Sequence, residues 1–216
     1  MVAAMHPDAP WARPLQMPQQ LTEQLRLTPE QFELVCQANP DAVLELSANG
    51  QLITMTPTGS ETSARNSTLL VLLGIALRCS GLPLKLFDSS GGFRLPDGSV
   101  LSPDAALVRL ERWQALSPEQ QRSFAPLCPD LVVELASPSD AGPRGAEALR
   151  HKMALYRRNG AQLGWLLLPA EQAVEIWRGD GDCVDAPCDR IDAAQTLDAG
   201  DIFPGLQIDL SEIWQS

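Results

Sequence analysis

Three side chains in this sequence have the types and spacing to cut a phosphodiester. Asp104 stands in Ser102-Pro103-Asp104, Glu134 in Asp130-Leu131-Val132-Val133-Glu134, and Lys152 follows eighteen residues after Glu134. Two carboxylates can hold one or two Mg²⁺ ions that activate water, polarise the phosphoryl oxygen and stabilise the leaving oxygen. A lysine beside them orients the nucleophile or neutralises developing charge. Lysine is scarce here, since Lys85 and Lys152 are the only two among sixteen basic residues. Each residue also has an ordinary role: Asp104 as a strand cap, Glu134 with Lys152 as a buried ion pair, Tyr156 as core.

The elements that must position these groups follow from pattern. Leu131 to Ala136 is apolar except for Glu134, as expected of a strand covered on both faces. Glu134 alternates with Val133 and Leu135, so it points to the opposite face and needs a partner or a metal there. A helix is predicted from about Pro143 to Arg158, closed by Asn159-Gly160, with Leu149, Lys152 and Tyr156 on one face at i, i+3, i+7. That helix can lay Lys152 against the sheet beside the carboxylates. Pro103 bends the Ser99 to Val108 strand or makes it begin there, which sets Asp104 at a strand edge.

Around this centre the other elements line up. Thr28-Pro29-Glu30 reads as a helix N-cap, with the helix ending near Asn39-Pro40. Val43–Leu46 and Gln51–Met55 flank Asn49-Gly50, a hairpin signal. After a break at Thr56 to Gly59, a long helix runs from about Glu61 to Cys79, with apolar residues at 69, 72, 73, 76 and 77, and Gly81 stops it. Strands follow at Leu84 to Phe87 and Gly92 to Leu95. Arg109 to Phe124 is a surface excursion with a helical turn after Ser117-Pro118-Glu119. Later strands lie at Leu163 to Leu168 and Ala173 to Trp177, and a short helix ends the chain. The order predicts an α/β (α+β) fold, helices packed on a central mixed sheet.

Length and composition bound the function. With 216 residues, the expectation is a flexible N-terminal tail over 1–27 and a single domain over 28–216. The longest apolar run, Leu69 to Leu77, is too short for a bilayer, and Met1 to Gln20 has no secretion-signal pattern and prolines at 7, 10, 14 and 18. Five cysteines without a CxxC pair suit a reducing cytoplasm. His6 and His151 are the only histidines, which argues against a Ser-His-Asp triad or a multi-histidine metal centre. The net charge of −11 opposes binding to a polyanion unless cations offset it. A basic track must then come from Arg144, Arg150, Arg157 and Arg158 on one helix, with Arg65 and Arg78 on another.

The motifs together resemble a known family. Asn49 to Asn66, Ser102-Pro103-Asp104, Pro129 to Asp140, Lys152-Met-Ala-Leu-Tyr156, Asn159-Gly160 and Phe203-Pro-Gly-Leu206 are similar to the Uma-two family of endonucleases, within the restriction-endonuclease-like PD-(D/E)xK superfamily. The resemblance spans roughly residues 28 to 215. It implies a central mixed sheet flanked by helices, with an active site at one end of a strand pair. It implies Asp104 and Glu134 as metal carboxylates, Glu61 as the acidic residue opening the long helix, Lys152 as the catalytic lysine, and Mg²⁺ as cofactor with Mn²⁺ as substitute. Arg65 and Arg150 are candidates for phosphate contacts. Two departures stand out: Ala136 occupies the position two after Glu134, where the superfamily's lysine commonly sits, and Arg144-Gly145-Ala146-Glu147 precedes the helix lysine.

Three functions follow as expectations: a Mg²⁺-dependent endonuclease acting on DNA, a non-catalytic nuclease-fold scaffold that binds protein or nucleic acid, and a hydrolase of another phosphate ester. Apolar C-terminal strands with Trp177 and Trp214 suggest a homodimer or higher homo-oligomer. The cell compartment expected is the cytoplasm, with no membrane partner.

Overall fold

The computed structural model describes residues 25–55, 59–140, 143–179 and 185–215. The expected tail up to residue 24, His6, Cys183, the break at Thr56 to Thr58 and the side chain of Arg144 lie outside the described residues. The chain divides into two compact units after residue 57, with Gly98–Val100 belonging to the first.

In the first unit, helix α1 (Pro29–Ala38) opens on a capping box, where the Thr28 hydroxyl accepts from the Gln31 N–H and the Gln31 side chain accepts from the Thr28 N–H. Strands β1 (Val43–Leu46) and β2 (Leu52–Met55) pair antiparallel across the Asn49-Gly50 turn, and Leu46 bridges Val100.

The second unit is built on six strands: β3 (Leu84–Asp88), β6 (Ala105–Arg109), β7 (Leu131–Leu135), β8 (Leu163–Leu168), β9 (Ala173–Arg178) and β10 (Asp189–Asp192). Short pieces β4 (Phe93–Arg94) and β5 (Val100–Leu101) precede β6 in the chain. The sheet order is β10-β9-β8-β7-β6-β3, with β7 and β8 parallel and every other neighbouring pair antiparallel. A parallel pair needs a long crossover, and helix α5 (Pro143–Arg158) supplies it.

Strand alternation sorts the core into two layers. Leu107, Leu131, Val133, Leu135, Leu163, Trp165 and Leu167 face helix α2 (Ser60–Ser80) through Leu69, Leu73 and Ala76. Gly81 ends α2 in the left-handed region at φ 64°, which a residue with a Cβ adopts only at a cost. The ribbon β11 (Thr196–Asp198) with β12 (Gln207–Asp209), and the terminal helix α6 (Ser211–Gln215), close the same layer through Leu197, Ile208 and Ile213. On the opposite face Val132, Leu166 and Trp177 pack against Met153, Ala154 and Tyr156 of α5. Both faces of β7 are thus covered, and all five of its residues are buried.

Several expectations meet physical corrections. The strand expected over Ser99 to Val108 splits at Pro103 into β5 and β6, because proline has no N–H for the ladder. The surface excursion holds two helical turns, α3 (Leu110–Gln114) and α4 (Pro118–Arg122), of which only α4 has a capping box. Trp177 is buried in its own chain's core and Trp214 donates its indole N–H to the Ala194 carbonyl at 2.6 Å, so Trp177 presents no surface to a second copy. No helix among the described residues is long and apolar enough to cross a membrane.

Candidate active site

Asp104 and Glu134 meet because Pro103 delays β6 until Ala105. Ala105 pairs with Val133, so one further step of that register sets Asp104 opposite Glu134. Asp104 Oδ2 accepts the Leu135 N–H at 2.8 Å, standing in for the ladder carbonyl that β6 does not supply there. A second contact comes from α2, where the Asn66 amide Nδ2 lies 3.4 Å from Asp104 Oδ1.

Glu134 is 3% exposed and projects from β7 toward α5. Lys152 Nζ lies 3.0 Å from its Oε1, and the Tyr156 hydroxyl donates to the same oxygen at 3.1 Å. Helical spacing brings both donors: residues four apart on α5 share one face. Lys152 also donates to the Ser102 carbonyl at 3.0 Å, which ties α5 to the segment just before Pro103, and its ammonium lies 5.9 Å from the Tyr156 ring centre. Asp104, Glu134 and Lys152, taken from three separate sequence segments, therefore converge on one end of the β6–β7 pair.

Glu61 does not join that group. It opens α2 with an exposed side chain and pairs one turn along with Arg65 at 2.7 Å. Glu61 and Arg65 instead line a cleft of about 290 Å³ with Ala136, Ser137, Asp140 and Glu171, beginning where β7 ends. Asp140 is committed locally, its Oδ2 accepting from the Ser137 hydroxyl at 2.5 Å and the Ser137 N–H at 2.9 Å.

Arg150 has a different partner from the one sought. Its guanidinium forks onto Glu175 of β9, with Nε at 3.0 and 2.9 Å from the two carboxylate oxygens and an Nη at 2.5 Å, and that hydrogen-bonded carboxylate raises the arginine's pKa. Glu175 is 2% exposed, sits opposite Leu166, and Leu166 in turn sits opposite Glu134. Arg190 reaches Glu175 as well, at 3.4 Å. Of the other arginines in the expected basic track, Arg158 pairs with Asp185 and Arg157 is buried. Sequence reasoning passed over Glu175, Asn66 and the Tyr156 hydroxyl. Glu175 carried the same signal as Glu134, a lone carboxylate in an apolar strand; the bond of Asn66 spans 38 residues and had none.

The donor set suits a hard divalent cation in chemical type. Asp104 and Glu134 offer carboxylate oxygens at adjacent strand positions, the ligands such ions take. Among the described residues no set of three acidic, histidine or cysteine side chains comes together around an ion position. Any further ligand drawn from the described residues would be a neutral oxygen.

Comparison with known proteins agrees with this architecture. Residues 29–211 match the Uma2 family model, described as "Putative restriction endonuclease". The fold is similar to the crystal structure of a protein described as a "putative nuclease belonging to DUF820" from Anabaena variabilis, with a TM-score of 0.64 at 17% identity, over 88% of this chain and 98% of that one. Comparison with curated proteins gives no match.

Proposed function

The chain belongs to the Uma2 family of restriction-endonuclease-like proteins, and from that premise we propose that it is a divalent-metal-dependent endonuclease acting on DNA. The observation that carries the reading is the 3.0 Å approach of Lys152 to Glu134 on the strand whose end Asp104 caps. Asp104 and Glu134 would hold Mg²⁺, with Mn²⁺ as substitute; the bound ion supplies Lewis-acid polarisation of the phosphoryl oxygen and a more acidic water.

The protein's own groups do the rest. Tyr156 and Lys152 fix one oxygen of Glu134, which leaves the carboxylate few orientations. Lys152, held also by the Ser102 carbonyl, would set its ammonium against the negative charge developing on the scissile phosphate. Arg65, on the wall of the cleft with Glu61, takes a flanking phosphate by exchanging its carboxylate partner for a phosphate oxygen. Arg150 is held by Glu175 and serves the reaction by seating α5, not by touching DNA. A homodimer would place two such sites on the two strands. The thiols of Cys36, Cys79, Cys128 and Cys188 are free, in keeping with work in a reducing cytoplasm.

A supercoiled-plasmid assay tests this. Nicking should need Mg²⁺ or Mn²⁺ and disappear in Asp104→Ala, Glu134→Gln and Lys152→Met while each variant keeps a cooperative melt. Cleavage retained in Glu134→Gln would overturn the assignment. Metal binding without cleavage of DNA or RNA by the wild type would favour the non-catalytic scaffold instead.

A further inference from the structure

The site just described has two carboxylates and lacks a third acidic ligand among the described residues. One atom beside it is out of place in a protein interior. Asn66 Oδ1 is buried and has no hydrogen-bond partner among the described residues, although the same amide's Nδ2 faces Asp104. A buried acceptor left without a donor is destabilising by about 1–3 kcal/mol. Such groups are uncommon in native folds and point to a bound species, a catalytic role or strain.

The contact the amide does make is weak. An N–H donating to a carboxylate settles near 2.8 Å, about half an ångström shorter than the 3.4 Å between Asn66 Nδ2 and Asp104 Oδ1. Rotating the amide by half a turn exchanges its nitrogen and oxygen with almost no change in shape. The Asn66 and Asp104 oxygens would then face each other, an arrangement that is repulsive alone and favourable with a cation between them. As placed, the Asn66 amide oxygen is an acceptor without a donor; turned, it lies against the Asp104 carboxylate.

We propose that Asn66 is the neutral oxygen ligand of the divalent-cation site, completing with its amide carbonyl the set begun by Asp104 and Glu134. The inference rests on the metal-site reading above and adds to it a residue and a charge count. Asn66 lies on α2, five residues beyond Glu61, so the helix delivers a neutral ligand to the site while its acidic residue pairs with Arg65. Two carboxylates, with Glu134 offset by Lys152, give a weakly charged cage, and affinity in oxygen-ligand sites grows with ligand charge. The site is therefore a weak binder by construction, and adding a charge at residue 66 should strengthen it.

Mn²⁺ titrated into the full chain by calorimetry decides the matter, with the shift in thermal midpoint on adding Mn²⁺ as a second readout for any variant too unstable to titrate. Wild type should bind and Asp104→Ala should not. Asn66→Ala should weaken binding roughly tenfold, the lower end for loss of a group supporting a metal site. Asn66→Asp should tighten it, and Mn²⁺ should raise its melting temperature more than it raises that of the wild type. Binding equal to wild type in both Asn66 variants would overturn the assignment and leave the carboxylate site standing. Weaker binding in Asn66→Asp as well would show that the residue only donates to Asp104, which also overturns it. No Mn²⁺ binding by the wild type at millimolar concentration would remove both this inference and the reading beneath it.

Discussion

At the scale of the residue, Glu134 is constrained by its burial. A carboxylate that is 3% exposed is tolerated when its charge is met, and Lys152 with Tyr156 meets it on a single oxygen. Removing one member should therefore leave an uncompensated charge, at a cost of about 3–5 kcal/mol for Lys152→Met by denaturant unfolding. Joining it to Glu134→Gln should recover most of that loss, since both charges are then gone; an additive double-mutant cycle would show that the pair is not coupled. Cys128 gives a second test at this scale. Burial pushes its thiol up to about 12 from 9.0, so the fold holds the proton more tightly than the unfolded chain does. Its stabilising contribution is full below pH 9 and falls as pH rises toward 12. At pH 8 a thiol reagent should label exposed Cys79 quickly and reach Cys128 only on unfolding; equal rates for the two would contradict the burial.

At the scale of the element, α5 carries the site, and its first turn is fixed by close contact. A Cβ on Gly145 would come within 2.5 Å of the Asp140 backbone, so the turn at Pro138–Asp140 and the start of α5 can approach only because residue 145 has no side chain. Gly145→Ala should therefore cost about 1–3 kcal/mol despite alanine's better helix propensity, and should reduce cleavage by shifting Lys152. A stabilised variant would mean the turn yields freely. Much of α5 was legible from sequence, because its apolar residues keep helical spacing and Asn159-Gly160 ends it. The long α2 and the two-faced β7 were legible for similar reasons of period and composition. Helix α3 was not: its N-cap, Arg109, makes no side-chain cap bond, and five residues show no period. Strands β10, β11 and β12 are short, half exposed and polar, and they exist because their backbones pair with the strand next to them in the chain, not because of any side-chain period. The candidate site was readable where an odd residue interrupts an apolar run, as Glu134 does. It was unreadable where geometry alone decides, as in the pairing of Glu61 with Arg65 or the reach of Asn66 to Asp104.

At the scale of the whole molecule, the net charge of −11 admits two accounts of any stabilisation by divalent cations. Cations can gather diffusely around an acidic surface, or one can bind at Asp104 and Glu134. The two differ in how they scale. Diffuse attraction between exposed charges fades with ionic strength, because the screening length shrinks to roughly 4–5 Å by 0.5 M salt. A partly buried site is screened far less. Binding to the folded state alone stabilises it by about 2.7 kcal/mol at a hundred times the dissociation constant. For a chain of this size that corresponds to about 5–10 °C in melting temperature. Mn²⁺ should therefore raise the melting temperature of the wild type by that amount with 0.5 M NaCl present, and should leave Asp104→Ala unmoved. Equal shifts in the two proteins, vanishing in high salt, would assign the effect to the acidic surface. A shift confined to the wild type and kept in salt locates the cation where the strand end, Asp104 and α5 meet. With Arg65, Arg150 and Arg158 already paired to the protein's own acids, such an ion supplies positive charge that a DNA phosphate needs on approach.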